Sequence, residues 1–163
     1  MISIIVAVSE DWGIGKNNEL LWHISEDLKR FKRLTTGNTV VMGKKTWESL
    51  PRRPLPQRKN IVLTDNLTEL FEGAVTAYSI DEALSKCDKN DEIFIIGGGS
   101  IYRQFMPIAD RLYITHVHKT AAADIYFPEI DLNIWEVIEM KDYHTGGEDG
   151  IPYSYLVYER KIR

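Results

Sequence analysis

Cysteine occurs once in this chain, at Cys87, so no disulfide can close within it and no cysteine cluster can hold a metal. A reducing compartment suits such a chain, and a cytoplasmic setting is expected. Long hydrophobic runs are missing too: nothing approaches the ~20 consecutive apolar residues that a membrane helix needs. The opening residues 1–8 are apolar but few, carry no basic leader and meet Glu10-Asp11 at once, which reads as a strand rather than a signal peptide. Nor is there a basic surplus. A net charge of -4 argues against nucleic acid as a partner, because that binding needs Lys and Arg gathered into a field that releases counterions. The cations present form two short clusters, Lys44-Lys45 and Arg52-Arg53 with Arg58-Lys59, which suit anionic groups on a small ligand or are solvated loop charges.

What is there reads as one α/β domain. With 163 residues the chain can bury roughly 70% of its unfolded surface, enough for a substantial core. Apolar, β-branched runs at 2–8, 39–42, 60–64, 74–78, 92–96, 111–118, 134–140 and 153–160 predict eight strands. Helical patterns fall between the earlier ones, at 25–35, 44–50, 80–87 and 100–106, and Ser79-Ile80-Asp81-Glu82 is a capping-box signature for the third. Strands alternating with helices imply right-handed crossovers and a mainly parallel sheet; the last two strands, with no helix between them, imply an antiparallel C-terminal edge. Loops at 9–21 and 144–152 are long and contain glycine, which makes them candidate lids.

Asp27 is out of place on the first helix. Ile24, Leu28, Phe31 and Leu34 recur at helical spacing while Glu26, Lys29, Arg30 and Arg33 take the solvent face, and Asp27 falls within the apolar stripe. A carboxylate there loses hydration and needs a partner. One reading is structural, an acid in the first turn beside a Ser25 N-cap; the other is functional, a sheltered acid held for a ligand.

Two strand–turn–helix segments bear on ligands. Residues 93–96 run into Gly97-Gly98-Gly99 and then Ser100-Ile101-Tyr102, where glycines let backbone N–H groups approach a phosphate; Tyr102 fills the third glycine position of a dinucleotide fingerprint, so that motif is incomplete. At Gly43-Lys44-Lys45-Thr46 a helix start coincides with two cations. Five residues separate Gly37 from Gly43, and Lys45 stands where a Walker loop has its hydroxyl, so a nucleotide kinase is the alternative from another class. Gly98-Gly99-Ser100-Ile101-Tyr102 lacks the last glycine of a nucleophile elbow. His116 and His118 share a strand face but have no evident third ligand, and no metal is expected.

Together these segments resemble dihydrofolate reductase of the bacterial chromosomal type. The resemblance is carried by Ile14-Gly15 with Leu20-Leu21-Trp22; Asp27-Leu28 with Phe31-Lys32; Met42-Gly43-Lys44-Lys45-Thr46-Trp47-Glu48-Ser49; Arg53-Pro54-Leu55-Pro56 with Arg58-Lys59-Asn60; Ile96-Gly97-Gly98-Gly99 with Ile101-Tyr102; Thr115-His116; and Asp124 with Phe127-Pro128, in family order across the chain. It implies NADPH-dependent reduction of 7,8-dihydrofolate to tetrahydrofolate by a monomer, in a single domain with an adenosine-binding part at about residues 39–90. It further implies that Asp27 anchors the pterin, that Thr115 fixes Asp27, and that a water near Trp22 and Leu20 carries the proton to N5. Ile5, Ala7, Leu28, Phe31, Lys32, Leu50 and Ile96 would wall the substrate, and Arg58 would hold its glutamate α-carboxylate. The cofactor would lie against Ala7, Ile14, Gly15, Gly43, Lys44, Lys45, Thr46, Leu63, Thr64, Asp65, Ile96, Gly97, Gly98, Gly99, Ser100, Ile101, Tyr102 and Gln104, with Gly97–Gly98 as a cis peptide.

Some positions depart from the family pattern. Leu21 stands for the usual Pro before Trp22, Ala123 for Gly before Asp124, Ile125 for Thr and Lys44 for Arg. Asp65 lies near the expected 2'-phosphate, where an acid favours a free ribose hydroxyl, yet Lys44 and Lys45 supply two cations and NADPH is expected. The alternatives are a related pyrimidine reductase of riboflavin synthesis, which has no need of Asp27 beside Phe31 or of Arg58, and a ligand-binding relative without turnover.

Overall fold

The computed structural model describes residues 1–16, 19–21, 24–143 and 150–161, with Glu19 and Leu20 by backbone alone. A sheet of eight strands runs in the order β10-β11-β8-β1-β7-β4-β5-β6, with β1 (Ile2–Val8), β4 (Thr39–Gly43), β5 (Lys59–Leu63), β6 (Val75–Ala77), β7 (Ile93–Gly97), β8 (Arg111–Val117), β10 (Trp135–Tyr143) and β11 (Tyr153–Arg160). These are the eight runs read from the sequence. Pairing is parallel from β8 through β6, and β11 pairs antiparallel with both β8 and β10. The C-terminal strand therefore lies one place inside the edge, which is β10. That edge carries Glu136, Glu139 and Lys141 among exposed residues, charges that discourage edge-to-edge pairing.

Alternation along the buried strands divides the core into two layers. Ile4, Val6, Val41, Ile61, Ile95 and Ile114 point to one face, against Ala83 of α3 (Ile80–Ser85) and Tyr102 and Phe105 of α4 (Gly99–Phe105). Ile5, Val40, Met42, Val62, Phe94 and Tyr113 point to the other, where Phe31 and Leu34 of α1 (Ser25–Thr35) and Trp47 and Leu50, in and just after α2 (Lys44–Ser49), cover them. Central strands buried on both faces read as nearly continuous apolar runs, which is why they stood out.

The structure amends several local expectations. Residues 13–16 and 19–20, within the expected 9–21 loop, are strands β2 (Gly13–Lys16) and β3 (Glu19–Leu20), which form a second small sheet with β9 (Ile125–Tyr126) in the order β3-β2-β9. Segments of two to four residues, half of them glycine in β2, are too short to show a period. Ser25 is the first helical residue of α1, not its cap; Ile24 holds the N-cap position and no side chain caps there. Arg30 is half-buried rather than solvent-facing, because its guanidinium lies 4.0 Å from the centroid of the Tyr155 ring. The expected second lid, 144–152, falls mostly on residues outside those described.

Ser79 does cap α3: its Oγ accepts from Glu82 N–H at 3.0 Å, and the Glu82 carboxylate accepts from Tyr78 N–H at 3.2 Å, one residue earlier than in the standard box. Ser79→Ala is expected to lower unfolding stability by about 0.5–2 kcal/mol, read as a reduced urea midpoint at unchanged slope.

Candidate functional site

The parallel strands end together, and a cleft of about 1660 Å³ follows their carboxyl ends across the sheet. A pocket for one small molecule holds some 300–1,000 Å³, so there is room for two ligands end to end. Strand order arranges its contents. At one end stand Asp27, Leu28 and Phe31 of α1 opposite Thr115 of β8; in the middle are Ile5, Ala7 and Ile96; beyond lie Gly97-Gly98-Gly99, then Gly43 to Thr46 after β4 and Leu63 to Asp65 after β5. Ile14 and Gly15 of β2 and Ile125 of β9 close one side, which the small sheet fixes through Gly15 paired with Ile125 and Asp124 N–H donating to the Gly15 carbonyl at 3.0 Å.

Asp27 is half-buried and does have a partner. The buried Thr115 hydroxyl donates to its Oδ1 at 2.5 Å, the short contact expected of a hydroxyl on a carboxylate. Register places Thr115 for this: β8 lies between β1 and β11 with Thr115 opposite Ala7 and Tyr155. Burial pushes the Asp27 carboxyl above its ordinary 3.8, while the Thr115 hydrogen bond and the nearby Arg30 charge pull it back. Desolvation raises the Tyr155 phenol as well, with the Asp27 charge adding to it. The Arg30 guanidinium over the Tyr155 ring thus belongs to the electrostatic surroundings of Asp27.

The glycine turn is crowded in a way that explains its composition. The Gly97–Gly98 peptide is cis and Gly97 has φ +125, a region that L side chains rarely adopt. A Cβ on Gly97 would stand 3.3 Å from the Thr46 hydroxyl, and one on Gly99 would stand 2.5 Å from Cγ2 of Ile125. Bare backbone, the Thr46 hydroxyl and two lysines therefore converge on one stretch of cleft. This donor set fits the phosphates of a dinucleotide. The Walker reading fails here, since β4 passes from Gly43 into α2 at Lys44 with no phosphate loop between.

The dihydrofolate reductase family model matches residues 1–160. This chain belongs to the dihydrofolate reductase family. It is 40% identical over 161 residues to the dihydrofolate reductase of Bacillus subtilis (strain 168), covering 99% of this chain and 95% of that one. It is 42% identical over 157 residues to that of Neisseria gonorrhoeae, covering 96% of each. Among solved structures, dihydrofolate reductase from Enterococcus faecalis complexed with NADP(H) and RAB-propyl superposes with a TM-score of 0.90 at 37% identity, covering 99% of this chain and 97% of that one.

Of the residues singled out by the resemblance to dihydrofolate reductase, the cleft gathers Ile5, Ala7, Ile14, Gly15, Asp27, Leu28, Phe31, Gly43, Lys44, Lys45, Thr46, Leu50, Leu63, Thr64, Asp65, Ile96, Gly97, Gly98, Gly99, Ser100, Ile101, Tyr102, Gln104 and Thr115. Lys32 is exposed in the last turn of α1 and does not line it. Arg58 stands beside the cleft, not in it: Nη1 donates to Thr35 Oγ1 at 3.0 Å, Nε donates to the Pro56 carbonyl at 2.9 Å, and its guanidinium is 6.0 Å from the centroid of the Phe31 ring. Trp22 and the side chain of Leu20 lie outside what is described. His118 is engaged with Ser154 and Glu10 at 2.6 and 3.2 Å, beside the cleft strands but not lining the cleft.

Sequence reasoning missed Arg30, Glu69, Tyr78, Arg103 and Tyr126, all of which line the cleft. Arg30 sits on the polar side of the helical wheel, and Glu69 reaches the site through a turn with no periodic signal. The departures Ala123 and Ile125 find tight seats: a Cβ on Gly13 would come within 2.7 Å of the Ala123 Cβ.

The raised Asp27 carboxyl has a thermodynamic consequence. The native state holds this proton more tightly than the unfolded chain, so ionised Asp27 reduces stability, and the loss develops as pH rises from the ordinary 3.8 through the raised value. Asp27→Asn keeps an oxygen for Thr115 and removes the buried charge. It is expected to raise the urea midpoint clearly at about pH 8 and much less at about pH 4.5.

Proposed function

We propose that this chain reduces 7,8-dihydrofolate to 5,6,7,8-tetrahydrofolate, with Asp27 as the anchor of the pterin and the agent of its activation. The observation that carries the reading is a half-buried acid, bonded to Thr115, in the same cleft as a glycine turn flanked by lysines. When bound, NADPH supplies the hydride that C6 of the pterin accepts. The protein's task at that moment is to make C6 electrophilic by favouring a proton on N5.

Asp27 suits this task because, among the described residues, Thr115 engages only its Oδ1, which leaves Oδ2 for the substrate. A carboxylate held this way accepts from N3 and the 2-amino group of a pterin, orienting the ring and favouring its protonated form. The proton itself would reach N5 through water rather than directly from Asp27. Ile5, Ala7, Leu28, Phe31, Leu50 and Ile96 form apolar walls that limit water and strengthen the anchor. Gly43, Lys44, Lys45, Thr46 and the turn from Gly97 to Tyr102, which line one stretch of the cleft, would hold the phosphates of the cofactor, and residues 39–90 would carry its adenosine portion. Arg58, already aimed by Thr35 and Pro56, takes the glutamate α-carboxylate where Phe31 leads out of the cleft. No described helix is long and apolar enough to cross a membrane.

Loss of acid–base assistance is worth roughly 10² to 10⁴ in rate. Asp27→Asn is expected to slow hydride transfer by about that range in single-turnover measurements with dihydrofolate and NADPH; a near-normal rate removes Asp27 from the mechanism. Arg58→Leu is expected to weaken dihydrofolate binding by about 1.5–3 kcal/mol in fluorescence titration, the worth of a hydrogen bond to a charged group. A pterin lacking the glutamate tail should bind this variant and the parent alike, and equal weakening refutes the assignment.

A further inference from the structure

Lys44 is not a free cation. Its Nζ lies 2.6 Å from Oε2 of Glu69 and 3.9 Å from Oε1 of Glu48, and the other Glu69 oxygen accepts from the Thr64 hydroxyl at 2.9 Å. Glu69 thus bridges the residue that follows β4 and the residue that follows β5, several strands across the cleft from Asp27. A turn brings it there. Thr64 Oγ1 accepts from Asn66 N–H at 3.1 Å, and Glu69 N–H donates to the Asn66 carbonyl at 3.2 Å, folding the chain back onto the end of β5. The Glu69 side chain is only 20% exposed against 48% for Lys44, so the carboxylate is seated and the ammonium reaches to it. The pairing lifts Lys44 above the ordinary lysine range and holds Glu69 below the carboxylate range, the hydrogen bond between them being the largest cause for each. Asp65 adds a further negative charge beside Lys44. Lys45 forms no ion pair among the described residues.

We propose that Glu69 determines cofactor specificity, occupying Lys44 in the place a ribose 2'-phosphate would take and so narrowing the preference for the phosphorylated dinucleotide over its 2'-hydroxyl counterpart. The inference rests on the proposed function, in that this end of the cleft is taken as the adenosine end. The physical contrast is between two substituents on one ribose carbon. A 2'-hydroxyl is a donor, and the Glu69 carboxylate can accept from it without releasing Lys44. A 2'-phosphate is an anion: it is repelled by Glu69 and Asp65 and must draw Lys44 away from an existing 2.6 Å contact. Both cofactors therefore find partners, and the phosphate gains less from Lys44 than an unpaired lysine would give it.

The test uses fragments that carry only this contrast, adenosine 2',5'-bisphosphate and adenosine 5'-monophosphate, titrated calorimetrically into the full chain. In Glu69→Gln the Thr64 hydrogen bond can persist while the charge is lost. The ratio of their dissociation constants is expected to move toward the bisphosphate by on the order of 5- to 30-fold, the range for a partly solvated charged contact. The same substitution in a Lys44→Gln background should produce little or none of that gain, because the two residues act as a pair. An unchanged ratio in Glu69→Gln, a gain that persists without Lys44, or failure of both fragments to bind at millimolar concentration overturns the proposal. Turnover of dihydrofolate with NADPH by the unsubstituted protein reports on the proposed function separately, so the two can fail independently.

Discussion

A hydroxyl on one strand holding a carboxylate on a helix is the contact around which this molecule is arranged. Thr115 can reach Asp27 only because β8 lies beside β1 with the right register and because α1 packs Phe31 and Leu34 onto the same face of the sheet. Move the strand by one residue and Thr115 would point to the opposite face, leaving a partly desolvated acid with no donor. The protein accepts an acid poorly suited to its surroundings and restrains it with one short hydrogen bond and one nearby arginine. The buried charge at that position is thereby set against stability.

The two ends of the cleft treat charge differently. At the Asp27 end the carboxylate is sheltered, its principal contact is a neutral hydroxyl, and its cationic neighbour is braced on an aromatic face. At the other end Lys44 and Glu69 are more exposed and already paired with one another. Sheltering makes a charge sensitive to what enters the site; prior pairing makes it less so. The sheet separates these regimes by the width of several strands, β8 to β5, about 4.8 Å at each step.

Much of this was legible in the sequence because burial leaves a period. The strands of the large sheet announced themselves through apolar, β-branched runs, nearly continuous in its buried centre, and Asp27 through its interruption of a helical stripe. The glycine turn was legible as a break between strand and helix, although the sequence could not show that Ile125, twenty-six residues beyond Gly99, sets the limit on a side chain there. Sheet order was not legible: β1 separates β7 from β8, and no local pattern encodes which strand a crossover passes over. The small sheet of β2, β3 and β9 was missed because its strands are short and carry no β-branched run, half of β2 being glycine. Arg30 was misassigned because a helical wheel distinguishes inside from outside but knows nothing of an aromatic ring arriving from a strand far along the chain. Glu69 left no signal, since a turn rather than a repeat delivers it.

Tyr102 occupies the fork where the sheet opens. The paired register of β1 with β7 ends at Ile4 and Ile95, and just past that point the buried Tyr102 hydroxyl donates to the Ile5 carbonyl at 3.0 Å. One phenol thereby bolts the helix behind the glycine turn to a strand that walls the cleft. A shift of that helix therefore has a direct route to the backbone of Ile5, so the glycine turn and the apolar end of the cleft are braced against each other.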